Sequence, residues 1–362
     1  MTIIIKLNII NSTDVERYTK GKCIMTNLID VAKKAGVSKT LVSRVINGQK
    51  GVGEESRKKI MQAMRELNYI PNGTARALVT GRTAMIGIIL DSLCEPYFFE
   101  LIRGIQHEIT NSNYHVIFCS GENSTELKEQ YIDFFASGRT DGVIIYGSNY
   151  DDVELISRIS QSNFPIAVIE NVIEEESVNN VIVENGYGSR LIVEHLYKNG
   201  CRNILHITGT KYSKVAIDRK QGYEDTMKEL GLTPVTLDCG DFKINLGKQI
   251  VEQYLRENDT LPDAIYFGAD TLAYGGMIVL KKHGIRIPDD IKIAGFDDDN
   301  PLNYGVKEPL PGLTTIRQPL YNLGVETVKL LITQIKNPGM KREKRIFYPE
   351  LVIRESTKKL PE

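Results

Sequence analysis

From Thr83 onward the chain alternates short apolar runs with longer stretches in which apolar residues recur every three or four positions. "MIGIIL", "HVIFCS", "GVIIYG", "PIAVIE", "NILHIT", "AIYFGAD" and "IKIAGFD" are unbroken apolar runs, the pattern of strands buried on both faces. Between them, "FFELIRGIQHEI", "ELKEQYIDFFAS" and "GSRLIVEHLYKN" carry helical spacing. Strands alternating with helices predict parallel sheets covered on both sides, and seven or more strands in this length predict two doubly wound lobes.

The segment before Thr83 follows a different rhythm. In "NLIDVAKKAG", Leu28, Val31, Ala32 and Ala35 share one helical face, Asn27 and Asp30 form a capping-box pattern, and Gly36 stops the helix. Ser38 is placed to cap a second helix, "KTLVSRVIN", whose Leu41, Val42, Val45 and Ile46 face inward. A third helix follows "GVGEES", with Glu54 and Glu55 in its first turn and Ile60, Met64 and Leu67 as its apolar stripe. Three short helices, the first two joined by a tight Gly-containing turn, predict a helix-turn-helix. In that geometry the second helix enters the major groove, and the residues left over after core packing are Lys39, Thr40, Ser43, Arg44 and Asn47. Arg and Lys donate to guanine edges and Thr meets a thymine methyl or a phosphate. Ser38, Lys58 and Lys59 are candidates for phosphate contacts.

Charge supports this division. The whole chain has a formal net charge of −1, yet residues 26–83 hold 11 Lys and Arg against 4 Asp and Glu. A basic module joined to an acidic body suits a phosphate-backbone binder. The 5 cysteines show no CxxC spacing and are expected to be reduced thiols in a cytoplasmic protein. No stretch is apolar enough to span a membrane, and "MTIIIKLNII" is a poor signal peptide.

"IDVAKKAGVSKTLVSRVING" followed by "ELNYIPNGTARAL" resembles the DNA-binding headpiece of the lactose-repressor (LacI/GalR) family of bacterial transcription regulators, and the resemblance runs from Leu28 through almost the whole chain. It implies that Lys39, Thr40 and Arg44 read bases, and that residues 72–83 are a hinge helix. Ala75 and Leu78 fit its DNA-contacting positions, with Leu78 as a minor-groove wedge. It implies a periplasmic-binding-protein-like body with two lobes, residues 84–184 with 318–348 and residues 185–317 with 349–356, joined by crossings near Glu184, Gln318 and Tyr348. The headpiece is then residues 26–71 and the tail residues 357–362. Residues 1–25 are expected to be an extension, disordered or non-native, with Met25 at the usual start of such chains.

In open α/β sheets ligands bind beyond the carboxyl ends of strands. Asp297 ends "IAGFD" and Arg219 precedes "KQGY"; both match family positions that hold the effector. Phe242 matches an aromatic that stacks on it, and Tyr97 and Phe98 in "EPYFFE" offer a further wall. This set suits a sugar or sugar phosphate; the alternative is an Asp297–Arg219 ion pair between the lobes with no ligand contact. The "DSLCEPYFFEL" loop is one residue longer than usual, and Ala269 replaces a common polar residue. The expected function is therefore a dimeric, ligand-controlled repressor of carbohydrate-utilisation genes on a near-palindromic operator. Control by a protein co-regulator is the alternative. No cofactor or metal is expected, and the dispersed histidines, with no HExxH, GxSxG or P-loop, argue against an enzyme.

Overall fold

A computed structural model describes residues 26–49, 51–71, 73–147, 149–162, 164–170 and 178–358, so residues 1–25 and the last four of the tail lie outside the described residues. The chain divides into two compact units at Thr83/Ala84. In the first, helices α1 (Leu28–Ala35), α2 (Lys39–Ile46) and α3 (Glu54–Glu66) close around Val31, Val42, Val45, Ile60 and Ala63, with Leu28, Met64 and Leu67 packed against them. The Asn27 carboxamide oxygen accepts from the Ile29 and Asp30 amides while Asp30 Oδ2 accepts from the Asn27 amide at 3.0 Å, completing the capping box. Gly36 ends α1 at φ 67°, a conformation that costs glycine nothing, and Ser38 Oγ caps α2 by accepting from the Leu41 amide at 3.2 Å. Helix α4 (Gly73–Thr80) follows.

The second unit holds two parallel sheets. The first contains β1 (Met85–Leu90), β2 (His115–Ser120), β3 (Gly142–Tyr146), β4 (Ile166–Ile169), β5 (Asn179–Val183) and β11 (Lys344–Phe347), in the order β11-β5-β4-β3-β1-β2. Helices α5 (Phe99–Thr110), α6 (Thr125–Ala136), α7 (Asp152–Ser160) and α12 (Leu320–Lys336) pack with it. The second sheet, β7-β6-β8-β9, is built from β6 (Ile204–Thr208), β7 (Val235–Asp238), β8 (Ala264–Phe267) and β9 (Lys292–Ala294). With it go α8 (Asn185–Lys198), α9 (Lys214–Glu229), α10 (Ile244–Glu257) and α11 (Asp270–Lys282). A short antiparallel ribbon of β10 (Thr315–Arg317) and β12 (Glu350–Val352) completes it. All seven apolar runs are strands. Two parallel sheets with covering helices are the expected architecture of the body.

The chain leaves the six-stranded sheet after β5, returns to it through α12 after β10, and leaves again after β11. Helix α12 spends its apolar face on the core through Leu323, Val328, Leu331 and Ile335. It approaches α5 backbone to backbone: a Cβ on Gly104 would lie 2.0 Å from Tyr321 O, and one on Gly324 2.4 Å from Leu101 O. Both glycines are therefore fixed by this helix crossing. Five strands had no apolar-run signature. β5 carries two buried asparagines, one of which, Asn179, is bonded to Gln334 at 2.7 Å, and β11 is an edge strand with Lys344 and Arg345 exposed.

Candidate nucleic-acid interface and ligand site

On α2, burial of Val42 and Val45 turns Lys39, Thr40 and Arg44 outward, and all three are exposed. Ser43 and Asn47 are half-buried and bonded to each other, Asn47 Nδ2 donating to Ser43 Oγ at 3.3 Å. Ser38 is exposed and already serves as the cap. Lys59 pairs with Glu55 at 2.8 Å, and Lys58 beside it in the chain is exposed. Leu78 on α4 is 84% exposed. Ala75 lies on the same helix, and its side chain is outside the described set.

In the second unit, Arg219 projects from α9 and Asp297 follows β9, so both belong to the four-stranded half. Their ion pair, Arg219 Nη2 to Asp297 Oδ1 at 3.2 Å, is thus within one lobe and not between lobes. Arg219 also donates through Nε to Asn185 Oδ1 at 2.9 Å and through Nη1 to Gly268 O at 2.6 Å. Its guanidinium carbon lies 3.8 Å from the centre of the Phe296 ring and 5.9 Å from that of Phe242. Phe242 itself lies over Gly209, where any Cβ would meet the ring at 2.5 Å.

The bridge to the six-stranded half is Gln318. Its Nε2 donates to Asp297 Oδ1 at 2.6 Å, and its Oε1 accepts from the Tyr97 hydroxyl at 3.4 Å. Tyr97 and Tyr146 share a hydrogen bond of 3.3 Å. Tyr97 thus reaches the node, whereas Phe98 does not. It is 3% exposed and packs edge-on against Tyr146 at 5.0 Å, inside the core with Leu101 and Leu323. The 3₁₀ turn Pro96–Phe98 sets successive side chains about 120° apart, which sends Phe98 into the core as a packing residue and corrects its assignment as a wall of the site. Asp297, Asp298 and Asp299 likewise diverge. Asp298 binds Arg317 and Arg354, and Asp299 accepts from Tyr304, so among the described residues no acidic group is arranged for a metal.

Asp297 holds φ 117°, a region costly for any residue with a side chain, so the surrounding bonds must hold it there. Burial raises its carboxyl above the usual range, Arg219 pulling it back and Asp299 pushing it further up. The sequence reading missed Glu170, Asn185, Gln318 and Tyr146. Glu170 ends β4 as Asp297 ends β9, so the same strand-end rule points to it. Its Oε1 accepts from the Val183 amide at 2.8 Å and its Oε2 from Asn185 Nδ2 at 3.2 Å, linking it through Asn185 to Arg219.

Burial raises the Glu170 carboxyl from 4.5 to about 7. The native state therefore keeps a proton that the unfolded chain releases, and this group's contribution falls as pH rises from 4.5 to 7. His206, buried and held near 3 between Tyr223 and Tyr266, acts in the opposite sense between pH 3 and 6.5. Comparison with Glu170→Gln separates the two. Urea melts at pH 5 and pH 8 should show the wild type losing up to about 3 kcal/mol more than the variant.

Residues 27–72 match the family described as "Bacterial regulatory proteins, lacI family", and residues 193–357 match a periplasmic binding protein-like domain. The chain is 34% identical over 336 residues to the ribose operon repressor of Halalkalibacterium halodurans, covering 92% of this chain and 98% of that one. It is 32% identical to the HTH-type transcriptional repressor PurR of Histophilus somni, covering 93% of this chain and 100% of the other. Among solved structures, the lac repressor dimer bound to operator and the anti-inducer ONPF matches with a TM-score of 0.81 at 28% identity, covering 92% and 99%.

Proposed function

From the premise that this chain belongs to the lacI family of bacterial regulatory proteins, we propose that it is a ligand-responsive transcriptional repressor that binds a near-palindromic operator as a homodimer in the cytoplasm and answers to a carbohydrate effector. The observation that carries the ligand half of this reading is the Tyr97–Gln318–Asp297–Arg219 chain, which ties both halves of the second unit to one buried carboxylate. A ligand that replaces or extends those bonds has differential affinity for lobe arrangements, the thermodynamic requirement for control at a distance. Asp297 and Arg219 bind the effector's polar groups, Phe242 and Tyr97 line it, and Asn185 and Glu170 position Arg219. The similarity to a ribose operon repressor favours a sugar.

In the headpiece, Lys39, Thr40 and Arg44 read base edges, Ser38, Ser43 and Asn47 support phosphate contacts, and Ala75 and Leu78 act on the minor groove from α4. Arg44 is exposed and takes no part in the caps of α2. Arg44→Ala is accordingly expected to weaken specific operator binding by about 1–3 kcal/mol while leaving the melting curve unchanged. Fluorescence anisotropy on operator and scrambled duplex measures both specific and non-specific terms.

Selection of operators from random duplex DNA, repeated with a panel of sugars, tests the proposal. The expected result is an enriched two-fold symmetric site whose recovery one sugar changes. An enriched site indifferent to every small molecule would move control to a protein co-regulator, and no enriched site would end the repressor reading.

A further inference from the structure

A trench of about 700 Å³ opens beside the crossing from β5 to α8, and neither Asp297 nor Arg219 lines it. Its walls come from both halves of the second unit. Tyr150, Ile182 and Val183 belong to the six-stranded side, and the first turn of α8 with one face of α9 to the four-stranded side. Asn185 is the partition between trench and node. It lines the trench, while its side chain donates to Glu170 Oε2 at 3.2 Å and accepts from Arg219 Nε at 2.9 Å. The floor stays open because α8 and α9 meet backbone to backbone. A Cβ on Gly222 would lie 2.3 Å from Gly186 O, and both glycines line the trench.

Two aromatic faces stand on this polar trench, one from each half. Tyr150, in the turn after β3, is 39% exposed, and Tyr187, in the first turn of α8, is 41% exposed. Both are held in place. The Tyr150 amide donates to Tyr212 O at 3.1 Å, next to the bridge between Asn149 and Ser213, and Tyr348 braces Tyr187 edge-on with 5.3 Å between ring centres. Most of the lining charge cancels internally: Lys214 pairs with Asp218 at 2.6 Å, and Arg190 donates to Glu229 at 2.9 Å. Two carboxylates remain. Glu184, half-buried at the crossing, leaves α8 uncapped, and Asp225 accepts from Gln221 Nε2 at 2.8 Å. Against them stands Lys344 of β11, three register pairs from Phe347 and Val183, so its backbone sits about 10 Å along the strand from the crossing.

We infer that this trench is a second ligand site, separate from the node, and that it takes a small organic cation, an amine or a quaternary ammonium. At the Glu184 end such a cation meets a carboxylate that no lysine or arginine of the trench neutralises, and the tyrosine faces attract it through their ring quadrupoles. A neutral polyol gains hydrogen bonds there but neither charge term, and an anion meets Glu184 and Asp225 with like charge. A cation seated between Tyr150 and Tyr187 touches both halves at once, with Asn185 as the wall it shares with the Glu170–Arg219 relay.

Calorimetric titration of the full chain with putrescine and with choline, each beside its uncharged isostere, butanediol and dimethylbutanol, tests the inference. At least one cation is expected to bind about tenfold or more tightly than its isostere. Glu184→Gln/Asp225→Asn is expected to abolish that advantage. Tyr187→Ala is expected to weaken the cation several-fold, whereas Tyr187→Phe, which keeps the ring face, leaves it bound as in the wild type. Binding is expected to persist in Asp297→Asn. An isostere bound as tightly as its cation overturns the inference, as does the absence of binding by both cations. Affinity unchanged in the double carboxamide variant assigns the binding to the acidic surface at large and removes the site. Loss in Asp297→Asn moves the cation to the node, which overturns the second site and leaves the effector reading standing.

Discussion

Replacing Lys128 by Met is expected to destabilise the second unit by about 3–5 kcal/mol, the largest loss anticipated for any single substitution here. The Lys128 side chain is 0% exposed, and its Nζ lies 2.7 Å from Asp91 Oδ1 and 2.6 Å from Asp152 Oδ2, with Tyr146 O at 3.4 Å. Asp152 also accepts from Thr125 Oγ1 at 2.9 Å. One ammonium therefore holds together the carboxyl end of β1, the start of α6, the end of β3 and the start of α7. Close packing leaves no alternative path for its stem: a Cβ on Gly121 would come within 2.9 Å of it. Methionine matches the volume but strands two carboxylates. Adding Asp91→Asn and Asp152→Asn to the methionine variant is expected to restore most of the stability, because the cost lies in unpaired charge and not in missing contacts. Urea denaturation of the single and triple variants at pH 6 and pH 8 checks both statements. A single variant as stable as the wild type would mean that water reaches the three groups.

Lys128 also shows what could not be read from the chain. In "ELKEQY" it looks like any lysine on the polar face of an amphipathic helix, and only the convergence of β1, α6 and α7 buries it. The headpiece was legible in detail because its determinants are local: the Asn27 and Ser38 caps, the Gly36 stop and the three apolar stripes are all decided within a few residues. The seven apolar strands were legible for the same reason. β10 and β12 were not, since they have three residues each and their pairing joins residues far apart in the chain, Thr315 with Val352 and Arg317 with Glu350. Of the bonded chain Tyr97–Gln318–Asp297–Arg219, the sequence pointed to Tyr97, Asp297 and Arg219, but to Gln318 only as a crossing point. Its role depends on Tyr97 and Asp297 arriving from opposite halves, a relation that no spacing encodes. Phe98 failed for a finer reason: adjacent aromatics in one short turn look alike in sequence, and the backbone alone decides which one enters the core.

Asp297→Asn is expected to weaken effector binding by roughly a hundredfold and to leave the chain on its operator at effector concentrations that release or recruit the wild type. Asparagine is the informative replacement. It keeps the side-chain shape of aspartate at φ 117°, so the backbone strain is carried over and a loss of response cannot be charged to a change in it. What changes is the charge. The carboxylate accepts from Arg219 at 3.2 Å and from Gln318 Nε2 at 2.6 Å, and the amide that replaces it brings donors of its own to face theirs. Arg219 remains held by Asn185 and Gly268 and stacked on Phe296, so the fold should survive with its operator affinity intact. Removing a carboxylate here also relieves Asp270, whose carboxyl Asp297 pushes upward. Operator-binding isotherms with and without the sugar, alongside urea melts, separate lost response from lost stability. A variant equally responsive to effector would show that Asp297 and Arg219 form a structural pair and that the ligand is held elsewhere.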